Sequence, residues 1–421
     1  MTRWWRFLTE PVSTVRLEAP SVDDIRRAAA AGAGVIRETP VLSSRTLAER
    51  TGVTAALKAE NLQRTGSFKI RGALAKIASL GPGCDGGVVT ASAGNHAQAV
   101  AYAARERGVA CEVFMPESAP IAKTEATIAL GAHVRLVGDT VDAALAAAQE
   151  AARAGGLAFV HPFDDPVVVA GQGGLGLELL EQVPDLSRVV VPVGGGGLIS
   201  GVAIAVKSQR PDVAVVGVQV EACAPFPASL AAGEPVAVAS ALTIADGIAV
   251  KRPGALTLKL IERWVDELVV VSDEEVAEAM VFLLERAKLV VEGAGAVGVA
   301  ALLAQRVGPP RAGTTAVILS GGNVDPGLLA QIARRHESQA GRRYVLLARL
   351  PDRPGSLALL LSLVGQLGAN LLDVEHIREG FDLHVRESAV QLVLETRGSE
   401  HAALVQRTVR EAGYAEPRAV R

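Results

Sequence analysis

From Gly86 onward, short runs of β-branched residues alternate with Ala-rich stretches of helical period. No other feature constrains the fold of this chain so tightly. "GGVVTAS", "ACEVFMP", "AHVRLVG", "AFVHPF", "SRVVVPVG", "AVVGVQVE", "DELVVVS" and "TTAVILSGG" read as strands. Between most of them lie segments such as "TVDAALAAAQEAARAGG" and "SDEEVAEAMVFLLERAK", with apolar residues at helical spacing and, at Ser272 and Glu275, a capping box. Strands apolar on both faces and separated by helices belong to parallel sheets covered on both sides, so the pattern predicts an α/β protein. The composition agrees: half of the 421 residues are hydrophobic but only 3% are aromatic, and Ala and Gly are abundant, as in helices lying close on sheets. The length predicts two or three domains.

The rhythm changes after Asp325. The polar "RRHESQAGRR" reads as a linker, and "RYVLLARL", "SLALLLSLVGQLG", "NLLDVEHI", "SAVQLVLET" and "EHAALVQRTVREAG" read as strand, helix, strand, strand, helix, with a last strand near "YAEPRAV". Such a βαββαβ unit is a ferredoxin-like module of the size that regulatory domains take. The expected division is an N-terminal extension (1–19), a catalytic domain (20–335), a linker (336–341) and a small regulatory domain (342–421).

A net charge of −3 with both signs interspersed argues against nucleic acid as the main partner. Three widely spaced cysteines without a Cys-x-x-Cys pair suggest neither a disulfide framework nor a zinc site, and a reducing cytoplasm suits them. In "MTRWWRFLTEP", Glu10 and Pro11 cut the apolar run too short for a signal peptide, and no window reaches the length of a membrane span. The expectation is a soluble, unexported protein.

Four local features carry chemistry. In "VPVGGGGLISG" a strand runs into Gly194, Gly195, Gly196 and Gly197 and then a helix; converging amides and the helix's positive end suit a phosphate. Every register either places Ile199 or Ser200 where a dinucleotide fingerprint needs its last glycine or lacks a strand-proximal start, and no Lys-Ser or Lys-Thr follows as in a P-loop, so a compact phosphomonoester fits better. In "GSFKIRGA", Lys69, one of only eight lysines, has a hydrophobic neighbour able to desolvate it and free its amine for a Schiff base; alone, it would read as a solvated lysine at a helix start. In "SAGNHAQAVA", Asn95 offers a donor and an acceptor at a strand-to-helix junction, and His96 reads as a packed or capping histidine rather than a metal ligand. In "VILSGGNVD", Ser320 ends an apolar strand, at the edge where open α/β sheets bind ligands, or else caps a helix.

A Schiff-base lysine, a glycine cradle, an asparagine and a strand-end serine are together the parts that hold pyridoxal 5′-phosphate. With "GSFKIRGA", "SAGNHAQ", "GGGGL" and "SGGN", the chain resembles the threonine/serine dehydratases of the tryptophan-synthase-β-like fold (pyridoxal-phosphate fold type II) over nearly all of residues 20–335. The tail "LPDRPGSLALLLSLVGQLGANLLDVEHIRE" looks like an ACT domain, an amino-acid-sensing module. The resemblance implies that Lys69 carries the cofactor and takes the substrate's α-proton. It implies that Phe68 packs beside the ring, Asn95 bonds its hydroxyl, Gly194 to Gly197 with Leu198 hold the phosphate, and Ser320 faces the ring nitrogen. Ser92, Ala93 and Gly94, with His96 beside them, would line the substrate pocket. In the tail an effector would meet Asp352, Pro354, Gly355, Ser356, Leu357 and Asn370, isoleucine or valine being the leading candidates. The implied activity is conversion of L-threonine to 2-oxobutanoate and ammonia, and of L-serine to pyruvate, by a homodimer or homotetramer.

Three rivals stand beside it. A serine racemase of the same fold has a second serine where this chain has Ala93, and alanine has no proton to donate. A non-catalytic amino-acid sensor, or a nucleotide-binding protein using the glycine loop, leaves Lys69 unexplained. Relatives that bind a divalent ion use acids after "VVGVQVE", but here Glu221 is followed by Ala222, Cys223 and Ala224, so no metal site is assigned.

Overall fold

The computed structural model describes residues 18–239, 242–310 and 312–417. Most of the expected N-terminal extension therefore lies outside the described residues. The chain forms two compact units, Met1–Val324 and Asp325–Arg421.

The first unit contains two sheets. Strands β1 (Val41–Ser43), β2 (Ala55–Lys58), β7 (Leu186–Pro192), β8 (Ala214–Val220), β9 (Glu267–Val271) and β10 (Thr314–Ile318) form one, in the order β1-β2-β10-β7-β8-β9. Strands β3 (Val88–Ala91), β4 (Cys111–Met115), β5 (His133–Leu136) and β6 (Ala158–Phe159) form the other, in the order β5-β4-β3-β6. All pairings are parallel except β1 with β2. The eight strands expected after Gly86 are all present, although β6 has only two residues because its run passes into His161-Pro162, and Pro162 has no N–H for a ladder. Strands β1 and β2 precede the region where the alternation is regular.

Glycine sets how the helices meet. A side chain at Gly171 would stand 2.7 Å from Gly72 Cα, and one at Gly173 would stand 2.9 Å from Gly201 O. The helix Pro166–Gln182 thus lies backbone to backbone against the helices Lys69–Leu80 and Gly197–Lys207. Close contact without bulky side chains is what the Ala- and Gly-rich composition provides, and it sets Lys69 and the tetraglycine turn in fixed relation.

A buried charge network reinforces this. Arg71 donates to Glu60 (2.8 Å from both Nε and Nη2) and to Glu178 (2.6 and 2.9 Å), and Lys58 donates to Glu178 (2.6 Å), Gln182 and Thr39 O. Lys58, Glu60 and Arg71 are buried, yet two cations meet two anions, so no charge is left uncompensated.

The helix at 273–282 begins with the expected capping box, Ser272 to Glu275, but its end is wider: Leu283–Ala287 forms a π-turn and Lys288 takes φ +60°. Such turns re-aim the chain, and this one delivers Glu292 to the site described below.

In the second unit β11 (Arg343–Pro351), β12 (Asn370–Ile377) and β13 (Glu387–Glu395) form an antiparallel-paired sheet in the order β11-β13-β12, with helices Ser356–Gln366 and Ser399–Glu411. Among the described residues the expected last strand does not form; Arg349 N–H to Ala415 O is a single ladder bond. The expected linker is also corrected. Residues 326–339 are helical, capped by Asp325 with Pro326 in the first turn and His336 in the last, and the contact boundary falls after Val324. A polar, basic run is equally a solvated helix end, where cations complement the dipole.

Candidate active site

The site forms where the carboxyl ends of both sheets face a shared cavity of about 1100 Å³. It is lined by Lys69, Ser92 to His96, the loop His161 to Asp164, Gly194 to Leu198, Glu292 and Ser320 among others. Residues far apart in sequence therefore meet at strand ends, as open α/β sheets dictate.

Lys69 is the first residue of the helix Lys69–Leu80 and follows an extended Ser67. Its Nζ donates to Pro162 O at 2.9 Å and lies 5.3 Å from the centroid of the Phe68 ring. Burial lowers its pKa to about 8, against the opposing pull of the Glu292 carboxylate. Roughly a tenth of the amine is then free at neutral pH, far more than for an ordinary lysine.

Each glycine of the cradle answers a neighbour. A Cβ at Gly194 would stand 3.0 Å from Ile248 Cα, one at Gly195 would enter the Phe163 ring, and one at Gly197 would stand 3.0 Å from Phe163 O. Gly196 has φ +91° and caps the helix Gly197–Lys207 without a side chain, leaving the first-turn amides uncapped. The turn is anchored by Thr257 Oγ1, which donates to Gly195 O at 2.7 Å. The covering loop is anchored too: His161 Nδ1 accepts from Phe163 N and Asp164 N, while Asp164 accepts from the amides of Ala255, Leu256 and Thr257.

Asn95 opens the helix Asn95–Glu106, whose cap, Gly94, supplies no side chain. Its Nδ2 donates to Glu292 Oε1 and its Oδ1 accepts from Asn323 Nδ2, both at 2.7 Å. These bonds set the amide's orientation and leave one N–H and one lone pair for a ligand. Burial, reinforced by Asp246, raises Glu292 to about 7, the Asn95 bond opposing it. Ser92 Oγ accepts from Gly94 N, and Ala93 lines the cavity beside it.

His96 is buried and its Nε2–H donates to Val160 O at 3.1 Å; burial lowers it to about 3, so it is a neutral, packed ring. Ser320 is buried, and its hydroxyl has no protein partner among the described residues, while its carbonyl accepts from Phe68 N. Glu292, Asn323 and the His161 to Asp164 loop escaped the sequence analysis. An acid ending the apolar run "LVVEGAGA" was the one available signal for Glu292.

The second unit divides the expected effector residues. Asp352 to Leu357 follow the end of β11, but Asn370 begins β12, which runs parallel to β11; Asn370 pairs with Glu395, the same residue that pairs with Arg343 at the start of β11. The eight residues of a strand, about 26 Å, separate them. Arg378, not Asn370, meets the loop, with two donors on the Asp352 carboxylate at 2.5 and 3.1 Å. Among the described residues, no helix is long and apolar enough to cross a membrane.

The parts fit pyridoxal phosphate. There is a desolvated amine, an uncapped helix start behind glycines for a phosphate, a half-engaged amide and a serine at a strand end, all on one cavity. The family model described as pyridoxal-phosphate dependent enzyme matches residues 33–321. The chain is 46% identical over 395 residues to an L-threonine ammonia-lyase of Thermotoga maritima, covering 94% of this chain and 98% of that one. Among solved structures, a threonine deaminase from T.th. (42% identity, TM-score 0.68) matches 73% of this chain and 99% of its own, and maize serine racemase (36%, TM-score 0.71) matches 76% and 99%. With these matches over the unit that builds the cavity, the chain belongs to the pyridoxal-phosphate dependent enzymes.

Proposed function

We propose that this protein converts L-threonine to 2-oxobutanoate and ammonia, and L-serine to pyruvate and ammonia. The observation that carries the reading is that Lys69 shares one cavity with a tetraglycine helix start. The near full-length similarity to an L-threonine ammonia-lyase supports the substrate.

In this reading Lys69 holds pyridoxal phosphate, and the amides of Gly194 to Leu198 take its phosphate. Asn95 bonds the ring hydroxyl with its remaining donor, Phe68 packs beside the ring, and Ser320 meets the ring nitrogen. A neutral hydroxyl at that nitrogen leaves it largely unprotonated. When bound, the cofactor supplies an electron sink for loss of the α-proton and the β-hydroxyl. The amine of Lys69, once free, takes the proton from the substrate's α-carbon. Ser92, Ala93 and Gly94, at the open start of the helix Asn95–Glu106, seat the carboxylate. His96, neutral and bonded to Val160 O, forms the wall behind them.

The test is to follow both products from L-threonine and from L-serine, with chiral analysis of recovered serine. The chain should eliminate and form no D-serine. Ala93→Ser, by adding a hydroxyl at the substrate pocket, should raise racemisation relative to elimination. D-serine from the unmodified chain would favour the racemase reading, and absence of 2-oxobutanoate would remove the proposal.

The second unit we propose to be an ACT-type regulatory module taking a branched-chain amino acid at the loop Asp352 to Leu357. Gly355, at φ +87°, caps the helix Ser356–Gln366 without a side chain, which leaves its amides open to a carboxylate. The solved relatives match this chain over about three quarters of its length and nearly all of their own, which supports a catalytic unit that does not depend on the tail. A chain ending at Val324 is therefore expected to keep threonine turnover but lose any response to isoleucine or valine. An unchanged response after truncation would place the sensor elsewhere. Effector control requires an assembly with two arrangements, which a homodimer or homotetramer would supply.

A further inference from the structure

Gly72 lies inside the helix Lys69–Leu80, where glycine costs about 1 kcal/mol relative to alanine. The space its side chain would fill is occupied by the amide nitrogen of Gln172 and, 2.9 Å away, by Val168 O. Gly72 is three residues beyond Lys69, so this slot is on the lysine's own face of the helix. Gln172 comes from the helix Pro166–Gln182, is 1% exposed and lines the catalytic cavity. Among the described residues its Oε1 is buried without any hydrogen-bond partner. Burying an amide oxygen unpaired is costly, so the site should supply a donor in a state where the lysine amine is free.

Lys69 carries unused donors. An ammonium has three N–H groups and a neutral amine two, and only Pro162 O accepts one of them among the described residues. A spare acceptor and spare donors thus share one helix face and one cavity.

We propose that Gln172 is a positioning residue for Lys69, its Oε1 accepting a second N–H of the lysine amine and holding that amine at the cavity floor. The inference rests on the reading of Lys69 as the cofactor-bearing amine. An acceptor at the ammonium favours the charged form, so removing it makes the amine easier to deprotonate. Among the described residues the other titratable groups facing Lys69 are Glu292, His96 and His161, from three separate elements, and they stay unchanged when Gln172 alone is altered.

The experiment mixes full-length, cofactor-free protein with pyridoxal phosphate from neutral to alkaline pH and follows the visible absorbance as the lysine captures it. In Gln172→Leu the midpoint of capture should move down by about one pH unit, making capture at neutral pH up to about tenfold faster. In the near-isosteric Gln172→Glu it should move up by at least about as much. A merely structural role lowers thermal stability in both variants and leaves the midpoint where it was, and that result overturns the proposal. If Gln172→Leu does not fold, the sign of the Gln172→Glu shift decides alone. Wild-type protein that captures no cofactor at any pH would overturn the functional reading, and this proposal with it.

Discussion

Lys69→Ala is expected to abolish visible absorbance and threonine turnover together, with activity falling by at least about 10⁴-fold. The size follows from the site. The amine projects into the cavity beside Phe68, its pKa is lowered by desolvation, and neither neutral His96 nor His161 can stand in for it at the same place. His96 is committed to Val160 O, and His161 Nδ1 to two backbone amides. The fold should survive, because the helix start is held by Arg71 and its buried partners rather than by Lys69. Far-UV circular dichroism, the visible spectrum and product formation on the same sample check all three points. Wild-type turnover in this variant would sink the central assignment.

Gly196→Asp is expected to weaken cofactor binding by at least about 100-fold, through two effects acting together. The backbone at φ +91° strains any side chain, and a Cβ there would lie 2.9 Å from both Phe226 Cζ and Thr257 Cβ. Displacing Thr257 also removes the hydroxyl that holds Gly195 O. The added carboxylate then repels a phosphate dianion at short range in a partly desolvated site, worth several kcal/mol at an effective dielectric of about 20. Gly196→Ala separates the terms, since it keeps the strain without the charge and should bind between the wild type and Gly196→Asp. Absorbance titration with pyridoxal phosphate measures all three proteins. Equal binding by Gly196→Asp and the wild type would mean that the phosphate sits elsewhere.

The parts of the site that were legible share one property: each announces its chemistry within a few residues. Four successive glycines, a lysine behind Gly-Ser-Phe and a serine ending an apolar strand carry local steric or polar signatures. Glu292 does not. It reads as the end of a hydrophobic run, and only its bond to Asn95, 197 positions earlier, gives it meaning. Pro162 is equally silent, because the acceptor it offers Lys69 is a backbone carbonyl, which no residue identity reveals. The linker failed for a related reason: a polar, basic run records exposure to water, and a solvated helix end shares it with a loop.

The sequence by itself determined the α/β class, the strand segments after Gly86, the capping box at Ser272 and the glycine turn after Val193. These follow from periodicity, glycine geometry and local charge, which act over a turn or a strand. Tertiary structure alone decided which strand ends face one another, since the order β1-β2-β10-β7-β8-β9 is set by packing between segments far apart in the chain. That order joins Asn95, Glu292 and Asn323 into one hydrogen-bonded chain and sets Gln172 against the helix of Lys69. In the second unit the same cause acts in reverse. Because β11 and β12 run parallel, the loop after one and the start of the other lie at opposite ends of the sheet, so Asp352 and Asn370, 18 positions apart in sequence, cannot share a site within one unit.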